Sequence, residues 1–100
     1  MTDAEARRVM VHVVLDWLNG DSTTDHFIKS YWTTRHRLLD SNWSAFTGPF
    51  GQAMSAMDTA ADSYRPGEGS EFEIDETQLR AEAEAVIDRL RSSTPEVLQG

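Results

Sequence analysis

The sequence has no cysteine among its 100 residues, which excludes disulfide scaffolds, thiolate zinc sites and thiol nucleophiles. It also lacks a long apolar run, since the longest, VMV at 9–11 and VVL at 13–15, are separated by His12. Neither run approaches the length of a membrane-spanning helix. The N-terminal residues MTDAEARR lack the layout of a secretory signal. We therefore expect a cytoplasmic protein that does not contact the membrane.

The composition is that of one folded domain. The chain is 39% hydrophobic and contains three Trp, two Tyr and four Phe, which is typical of a globular protein. Its length permits a modest core without disulfides or metal. We expect a single domain over 1–100, with a packed core from about residue 3 to 92 and a tail over 93–100.

Strand patterns are almost absent, because only 71–74 alternate between polar and apolar residues and so short a segment cannot build a sheet. Helical patterns are clear instead. Thr2 and Glu5 have the spacing of a capping box, and Asn19 with Gly20 predicts the end of this first helix. Its apolar positions recur at helical intervals: Met10, Val13, Val14, Trp17 and Leu18, widened by Val9, Val11 and Leu15.

Three more helices are predicted. STTD at 22–25 begins the second, which runs to about Asp40 with one apolar face: Phe27, Ile28, Tyr31, Trp32, Leu38 and Leu39. The segment SNWSAFTGPFG interrupts the pattern, and Pro49 begins a third helix with the face Phe50, Met54, Met57, Ala61 and Tyr64. A loop, RPGEGSE at 65–71, precedes the last helix, which Asp75 caps and whose face is Leu79, Ala83, Val86, Ile87 and Leu90. Short connections between four helices predict an all-α fold, an antiparallel four-helix bundle.

The three tryptophans are expected to contribute to the core. Trp43 is less certain to be a core residue than the other two, because it lies in the segment that interrupts the helical pattern. It either covers one end of the bundle, which we favour, or is a surface anchor for a partner.

Catalytic and metal-binding patterns are weak. The sequence contains no phosphate-binding loop and no Ser-His-Asp order, so we expect no enzymatic activity. His12 with Asp16, and His36 with Asp40, are spaced four apart and could face each other across a bundle as metal ligands. Glu-x-x-His spacing is absent, however, and His36 lies on the polar side of its helix. We therefore predict no metal and no cofactor, and keep a metal-binding bundle as an alternative.

The formal net charge of −8 is unfavourable for binding nucleic acid and suits a basic protein partner. The cations Arg7, Arg8, Lys29, Arg35 and Arg37 are scattered, as expected of solvated faces and partners of internal carboxylates. Direct nucleic-acid binding is not expected.

Most of the net negative charge lies between Asp58 and Glu76, where seven carboxylates accompany one cation, Arg65. Asp58 and Asp62 are a like-charge pair at i, i+4, which mildly destabilises a helix. Tyr64, of a type favoured at interfaces, lies in the middle of this negative charge. We predict a binding surface for a basic partner, formed by Asp58, Asp62, Tyr64, Glu68, Glu71, Glu73, Asp75 and Glu76. A merely solvated acidic loop is the alternative.

The residue order resembles the colicin D immunity family, the self-protective colicin-like immunity proteins. The resemblance extends over roughly 13–90 and is carried by DHFIKSYWTTRHRLLDS, AMSAMDTAADSYRP and FEIDETQLRAEAEAVIDRL. Its most specific part is Asp62-Ser63-Tyr64, a short acidic loop, and then Asp75-Glu76 before Leu79-Arg80.

The resemblance implies a small acidic four-helix bundle that binds and inactivates a cognate nuclease toxin, typically one that cleaves transfer RNA. A monomer that binds the toxin one to one is then expected. Only Asp62, Tyr64, Asp75 and Glu76 are carried over as motif positions. Two other hypotheses remain: the metal-binding bundle, and an acidic interaction module for some other basic protein.

Overall fold

The computed structural model describes residues 1–64 and 74–98, and these form four α-helices. They are α1 (Asp3–Leu18), α2 (Thr24–Ser41), α3 (Gly48–Ser63) and α4 (Glu76–Ser93). Two short 3₁₀ helices, Trp43–Phe46 and Pro95–Leu98, follow α2 and α4. The chain is an all-α four-helix bundle, as its periodicity predicts.

The helix starts lie at the predicted capping residues. Thr2 accepts a hydrogen bond from the Glu5 amide at 3.1 Å, and its hydroxyl donates to the Glu5 carboxylate. Asp75 accepts from the Gln78 amide at 2.9 Å, and the Gln78 side chain accepts from the Asp75 amide. These contacts satisfy amides that lack a partner in the first helical turn.

The core is formed where the apolar faces of the helices meet. α1 packs against α2 and α4, and α3 packs against α4. Trp17 and Phe27 stack with ring centroids 4.2 Å apart, which joins α1 to α2. The largest fully buried side chains are Trp17, Tyr31, Phe27, Phe50, Met10, Leu38, Met54, Met57, Leu79, Leu90, Val11 and Val14.

The face of α2 differs from the predicted one near its end. Leu38 is buried but Leu39 is exposed, while Arg35 is only 8% exposed. The Arg35 guanidinium lies over the Phe46 ring, 4.5 Å from its centroid. A cation therefore occupies a position within the packed face, which the apolar pattern alone does not indicate.

The prediction that 93–100 forms a tail outside the core is partly wrong. Pro95–Leu98 forms a 3₁₀ helix that packs against α1 and α4. Val97 in this segment is only 1% exposed. Val97 and Leu98 are too few apolar residues to give a helical periodicity that the sequence could reveal. Val97 is buried because the segment packs against both α1 and α4.

Two further properties follow from the described residues. The Cα radius of gyration is 13.0 Å, close to the roughly 13 Å expected for a packed domain of this length. In the described part of the chain, no helix is both long and apolar enough to cross a bilayer.

Candidate functional site

Four helix ends meet at one end of the bundle. Trp17, near the end of α1, donates its indole N–H to the Thr24 hydroxyl at 3.0 Å, at the start of α2. The Thr24 hydroxyl in turn donates to the Glu76 carboxylate, at the start of α4. The Ile74 amide donates to the Ser63 carbonyl at 3.0 Å, which joins the end of α3 to the residues before α4.

Carboxylates of α2, α3 and α4 lie at this end of the bundle, near Tyr64. We call this surface the acidic end; it consists of Asp25, Asp62, Tyr64, Asp75 and Glu76. Tyr64 caps the end of α3 and is half-buried. Burial, followed by the negative charges of Glu76 and Asp25, raises the pKa of Tyr64. At neutral pH its hydroxyl is protonated, as that of an ordinary tyrosine is.

Helix dipoles explain why so many carboxylates are tolerated together. Asp25 lies in the first turn of α2 and Glu76 in the first turn of α4. Asp75 caps α4. A helix N-terminus carries partial positive charge, so carboxylates there are stabilised. Asp62 lies instead in the last turn of α3, where the dipole opposes a negative charge.

Two of these carboxylates also have structural roles. Glu76 accepts from Thr24, and Asp75 holds the first turn of α4. Arg80, one turn further along α4, lies 4.6 Å above the centroid of the Trp17 ring. These contacts fix the positions of Glu76, Asp75 and Arg80 within the bundle.

Asp58, predicted to belong to the binding surface, lies apart from the acidic end. Its carboxylate accepts from the Tyr31 hydroxyl at 2.6 Å and from the Arg35 guanidinium at 3.1 Å. The side chain is 28% exposed, against 10% for Arg35. Its charge is therefore used within the bundle, between α2 and α3, and it is not a free solvent-facing carboxylate.

Three predicted binding residues, Glu68, Glu71 and Glu73, and the nearby Arg65 lie outside the described residues. Their part in the binding surface remains a prediction from the sequence. Tyr64 and Ile74, which flank this segment, form an isolated parallel bridge. These two described residues therefore lie side by side at the acidic end.

Trp43 does not cover the bundle end. Its side chain is 67% exposed, so the favoured prediction is wrong and the surface alternative agrees with the structure. Trp17 is buried and Trp32 is partly buried, as expected. Trp43 follows the end of α2 and lies at the opposite end of the bundle from Tyr64.

The two His/Asp pairs are not brought into one metal site. Across 1–64 and 74–98, no three or more His, Asp or Glu side chains are close enough to hold a metal ion. Asp16, His36 and Asp40 are exposed on their helices. His36 instead packs its ring near Trp32, with centroids 5.9 Å apart.

Sequence reasoning missed Asp25 and Thr24 as members of this end and Tyr31 and Arg35 as partners of Asp58. The signal for Asp25 was its position in a predicted helix start, since antiparallel helices place alternate starts and ends together. Nothing in the local pattern marked Arg35 as buried.

The class of protein defined by this fold and surface is a small helical bundle with a preformed acidic end. The chain matches no protein-family model, no curated protein and no solved structure. The resemblance to the colicin D immunity family therefore stays a prediction from the quoted residues.

Proposed function

We propose that this protein is a non-catalytic inhibitor, an immunity protein that binds a basic nuclease toxin and neutralises it. The observation that supports this most is the acidic end, where three helices contribute carboxylates around the protonated hydroxyl of Tyr64. The resemblance described above implies the same activity and adds a transfer-RNA-cleaving toxin as the partner class.

Electrostatics give the physical reason. A nuclease cleft is positively charged because it holds phosphates, and an array of carboxylates can occupy it as a mimic of the substrate. Asp25, Asp75 and Glu76 form no ion pair with a described residue. Their charges are therefore available to Lys and Arg side chains of a partner. Opposite fields would also accelerate association.

Tyr64 supplies the non-electrostatic part of the proposed interface. An aromatic ring with a polar tip contributes apolar contact area and a directed hydrogen bond, and interface hot spots are enriched in tyrosine. In the proposed complex, one inhibitor covers the cleft of one toxin in the cytoplasm, and no metal or nucleic acid takes part.

The test asks first whether the gene next to that of this chain encodes a secreted protein with a basic nuclease-like domain, and then whether this chain protects bacteria from that candidate toxin. We would co-express that toxin with the parent and with two variants that each remove two negative charges. One changes the acidic end, Asp25→Asn with Asp62→Asn, and the other changes the opposite end, Asp40→Asn with Glu96→Gln. A third variant, Glu68→Gln with Glu71→Gln and Glu73→Gln, tests the residues predicted from sequence alone.

Protection should be lost with the acidic-end pair and kept with the matched control pair, while both melt like the parent. Losing a desolvated charge pair in a complex weakens binding by roughly 2–5 kcal/mol, whereas exposed substitutions change folding by about 0.5 kcal/mol or less. If both pairs protect equally well and bind the toxin with parental affinity, the acidic end is not the inhibitory surface. A protein that binds basic proteins without regard to toxin activity would instead be a general acidic interaction module.

A further inference from the structure

The turn between α1 and α2 contains a chemically reactive dipeptide, Asn19-Gly20. When glycine follows asparagine, no side chain hinders attack of the glycine amide nitrogen on the side-chain carbonyl of the asparagine. Both residues are exposed, and a Cβ atom placed on Gly20 would meet nothing within 4 Å. Within 1–64 and 74–98, the Asn19 side chain forms no hydrogen bond. Its amide is therefore accessible and unconstrained.

The backbone of the same turn is held in a Schellman motif. Gly20 has a φ of +86°, which glycine adopts without strain. The Gly20 amide donates to the Trp17 carbonyl at 3.0 Å, and the Asp21 amide donates to the Asp16 carbonyl at 2.9 Å. These are the two hydrogen bonds that define the motif at a helix end. The nitrogen that would attack Asn19 is thus engaged in one of them.

The backbone conformation of Asn19 also opposes the reaction. Its φ of −80° and ψ of −3° are helical. Ring closure needs the Gly20 nitrogen close to the plane of the Asn19 side-chain carbons, and a helical ψ holds it well out of that plane. Rotation about the Cα–C bond of Asn19 brings the nitrogen into place, but it also carries the Gly20 and Asp21 amides away from their acceptors. The turn therefore has to open locally before the reaction occurs.

We infer that Asn19 is a site of spontaneous deamidation whose rate is set by opening of this turn, an inference independent of the function proposed above. The Gly20 nitrogen bonds to Cγ of Asn19, the Cγ–Nδ2 bond breaks, and the Gly20 amide proton leaves with Nδ2 as ammonia. Water then opens the resulting succinimide at either carbonyl, which gives aspartate or isoaspartate at position 19. Either product carries one more negative charge than asparagine.

The new charge is unfavourable where it forms. It lies at the C-terminal end of α1, where the helix dipole opposes a negative charge, and Asp16 and Asp21 are close to it in the sequence. Isoaspartate also adds a methylene group to the backbone, which changes the spacing on which the Schellman hydrogen bonds depend. We therefore expect the modified chain to melt at a lower temperature than the fresh chain.

Asn42, the only other asparagine of the chain, is an internal control. The residue after it is Trp43, whose side chain hinders attack by its own amide nitrogen. Asn42 Nδ2 also donates to the Met1 carbonyl at 2.9 Å, and Oδ1 accepts from the Ser41 hydroxyl at 3.0 Å. Asn42 should therefore deamidate far more slowly than Asn19, whether the chain is folded or unfolded.

The test is incubation of the full chain in mildly alkaline buffer at a series of urea concentrations. Peptide mass spectrometry, with separation of the aspartate and isoaspartate forms, gives the rates at both asparagines. We expect slow conversion of Asn19 in the folded chain and at least about tenfold faster conversion in the unfolded chain. At low urea the rate should rise less steeply than the unfolding equilibrium, because a local opening exposes less surface than global unfolding does.

Asn19→Gln is the matched variant, since the longer side chain cyclises much more slowly and adds no charge. It should keep its melting temperature during incubation, while that of the parent falls. Equal rates at Asn19 in the folded and unfolded chains, or equal rates at Asn19 and Asn42, would overturn the inference. So would a folded chain that stays unmodified, or a rate that follows global unfolding, since the turn would then not open by itself.

Discussion

The Asp58 carboxylate accepts hydrogen bonds from Tyr31 and Arg35, two residues of α2, while Asp58 itself belongs to α3. Arg35 lies between this carboxylate and the Phe46 ring. One of its guanidinium nitrogens, Nη1, is buried without a hydrogen-bond partner. A buried cation with an incomplete set of hydrogen bonds depends strongly on the carboxylate that remains, since an uncompensated buried charge is very unfavourable.

Substituting Asp58→Asn should therefore destabilise the free protein by about 1–3 kcal/mol, because the amide leaves Arg35 without its counter-charge. The value lies below that of a fully buried pair because the Asp58 side chain is partly exposed. Urea unfolding of the parent and the variant measures the difference. Glu84→Gln, an exposed substitution on α4, is the control and should change stability by about 0.5 kcal/mol or less. Equal stability of all three proteins would show that the ion pair is not needed.

The hydroxyl of Tyr31 makes stability depend on pH in the alkaline range. Burial first, and then the hydrogen bond to Asp58 and its charge, raise the pKa of Tyr31. Below about pH 10, the ordinary pKa of tyrosine, the folded and unfolded chains both hold this proton. Above that pH the unfolded chain loses the proton while the folded chain keeps it, so stability falls by up to about 1.4 kcal/mol per pH unit.

Tyr31→Phe removes this part of the pH dependence. The difference in unfolding free energy between parent and Tyr31→Phe should therefore shrink as the pH rises above about 10. Urea unfolding at a series of alkaline pH values gives the difference. The tyrosinate absorbance of the folded parent provides an independent check, because only Tyr64 would remain in the variant. Ionisation of Tyr31 at its ordinary pKa in the folded protein would contradict the expectation.

The junction between α2 and α3 depends on close backbone packing. Gly51, in the first turn of α3, lies against the backbone of Phe46 in the preceding 3₁₀ helix. A Cβ atom at this position would lie 2.8 Å from the Phe46 carbonyl carbon. Only glycine allows the two backbones to approach this closely. The close contact positions Phe46 over Arg35, and so connects this junction to the Asp58 network.

Gly51→Ala should thus be destabilising, although alanine normally stabilises a helix by about 1 kcal/mol relative to glycine. Here the new methyl group forces the 3₁₀ helix away from α3, for which we expect a loss of about 1–3 kcal/mol. Thermal or urea unfolding measures the effect. Gln52→Ala, the neighbouring exposed position on α3, is the control and should be neutral or slightly stabilising. A more stable Gly51→Ala would mean that the junction relaxes without loss.

Charge is distributed unevenly over the whole molecule. The net charge is −8, and the acidic end collects carboxylates at one end of the bundle. The two ion pairs found among the described residues, Arg35–Asp58 and Arg91–Asp88, lie away from that end. A field directed from one end orients the molecule as it approaches a basic partner.

Association with the proposed toxin should consequently slow as salt rises. At about 0.15 M ionic strength the Debye length is roughly 8 Å, against about 30 Å at 0.01 M, so the long-range attraction is largely screened. Stopped-flow measurement of the on-rate between these two conditions should show a decrease of about tenfold or more. The off-rate should change less. An on-rate that does not respond to ionic strength would show that the acidic end is not the contact surface.

Much of the fold follows from local patterns. The four helices, the caps at Thr2 and Asp75, and the end of α1 at Asn19 and Gly20 are all confirmed. Each depends on residues within a few positions of one another, through hydrogen bonds of the first turn or through apolar spacing. The concentration of charge is likewise a property of the sequence, because 58–76 alone has a net charge of −6.

The tertiary structure decided which of those charges is paired inside the bundle. Asp58 and Asp62 have the same local pattern, four residues apart on one helix, yet only Asp58 meets Tyr31 and Arg35 across the bundle. Tertiary packing likewise places Asp25 at the acidic end, buries Val97 in the core and leaves Trp43 exposed. Such outcomes depend on contacts between residues distant in sequence, which a pattern confined to one helix does not contain.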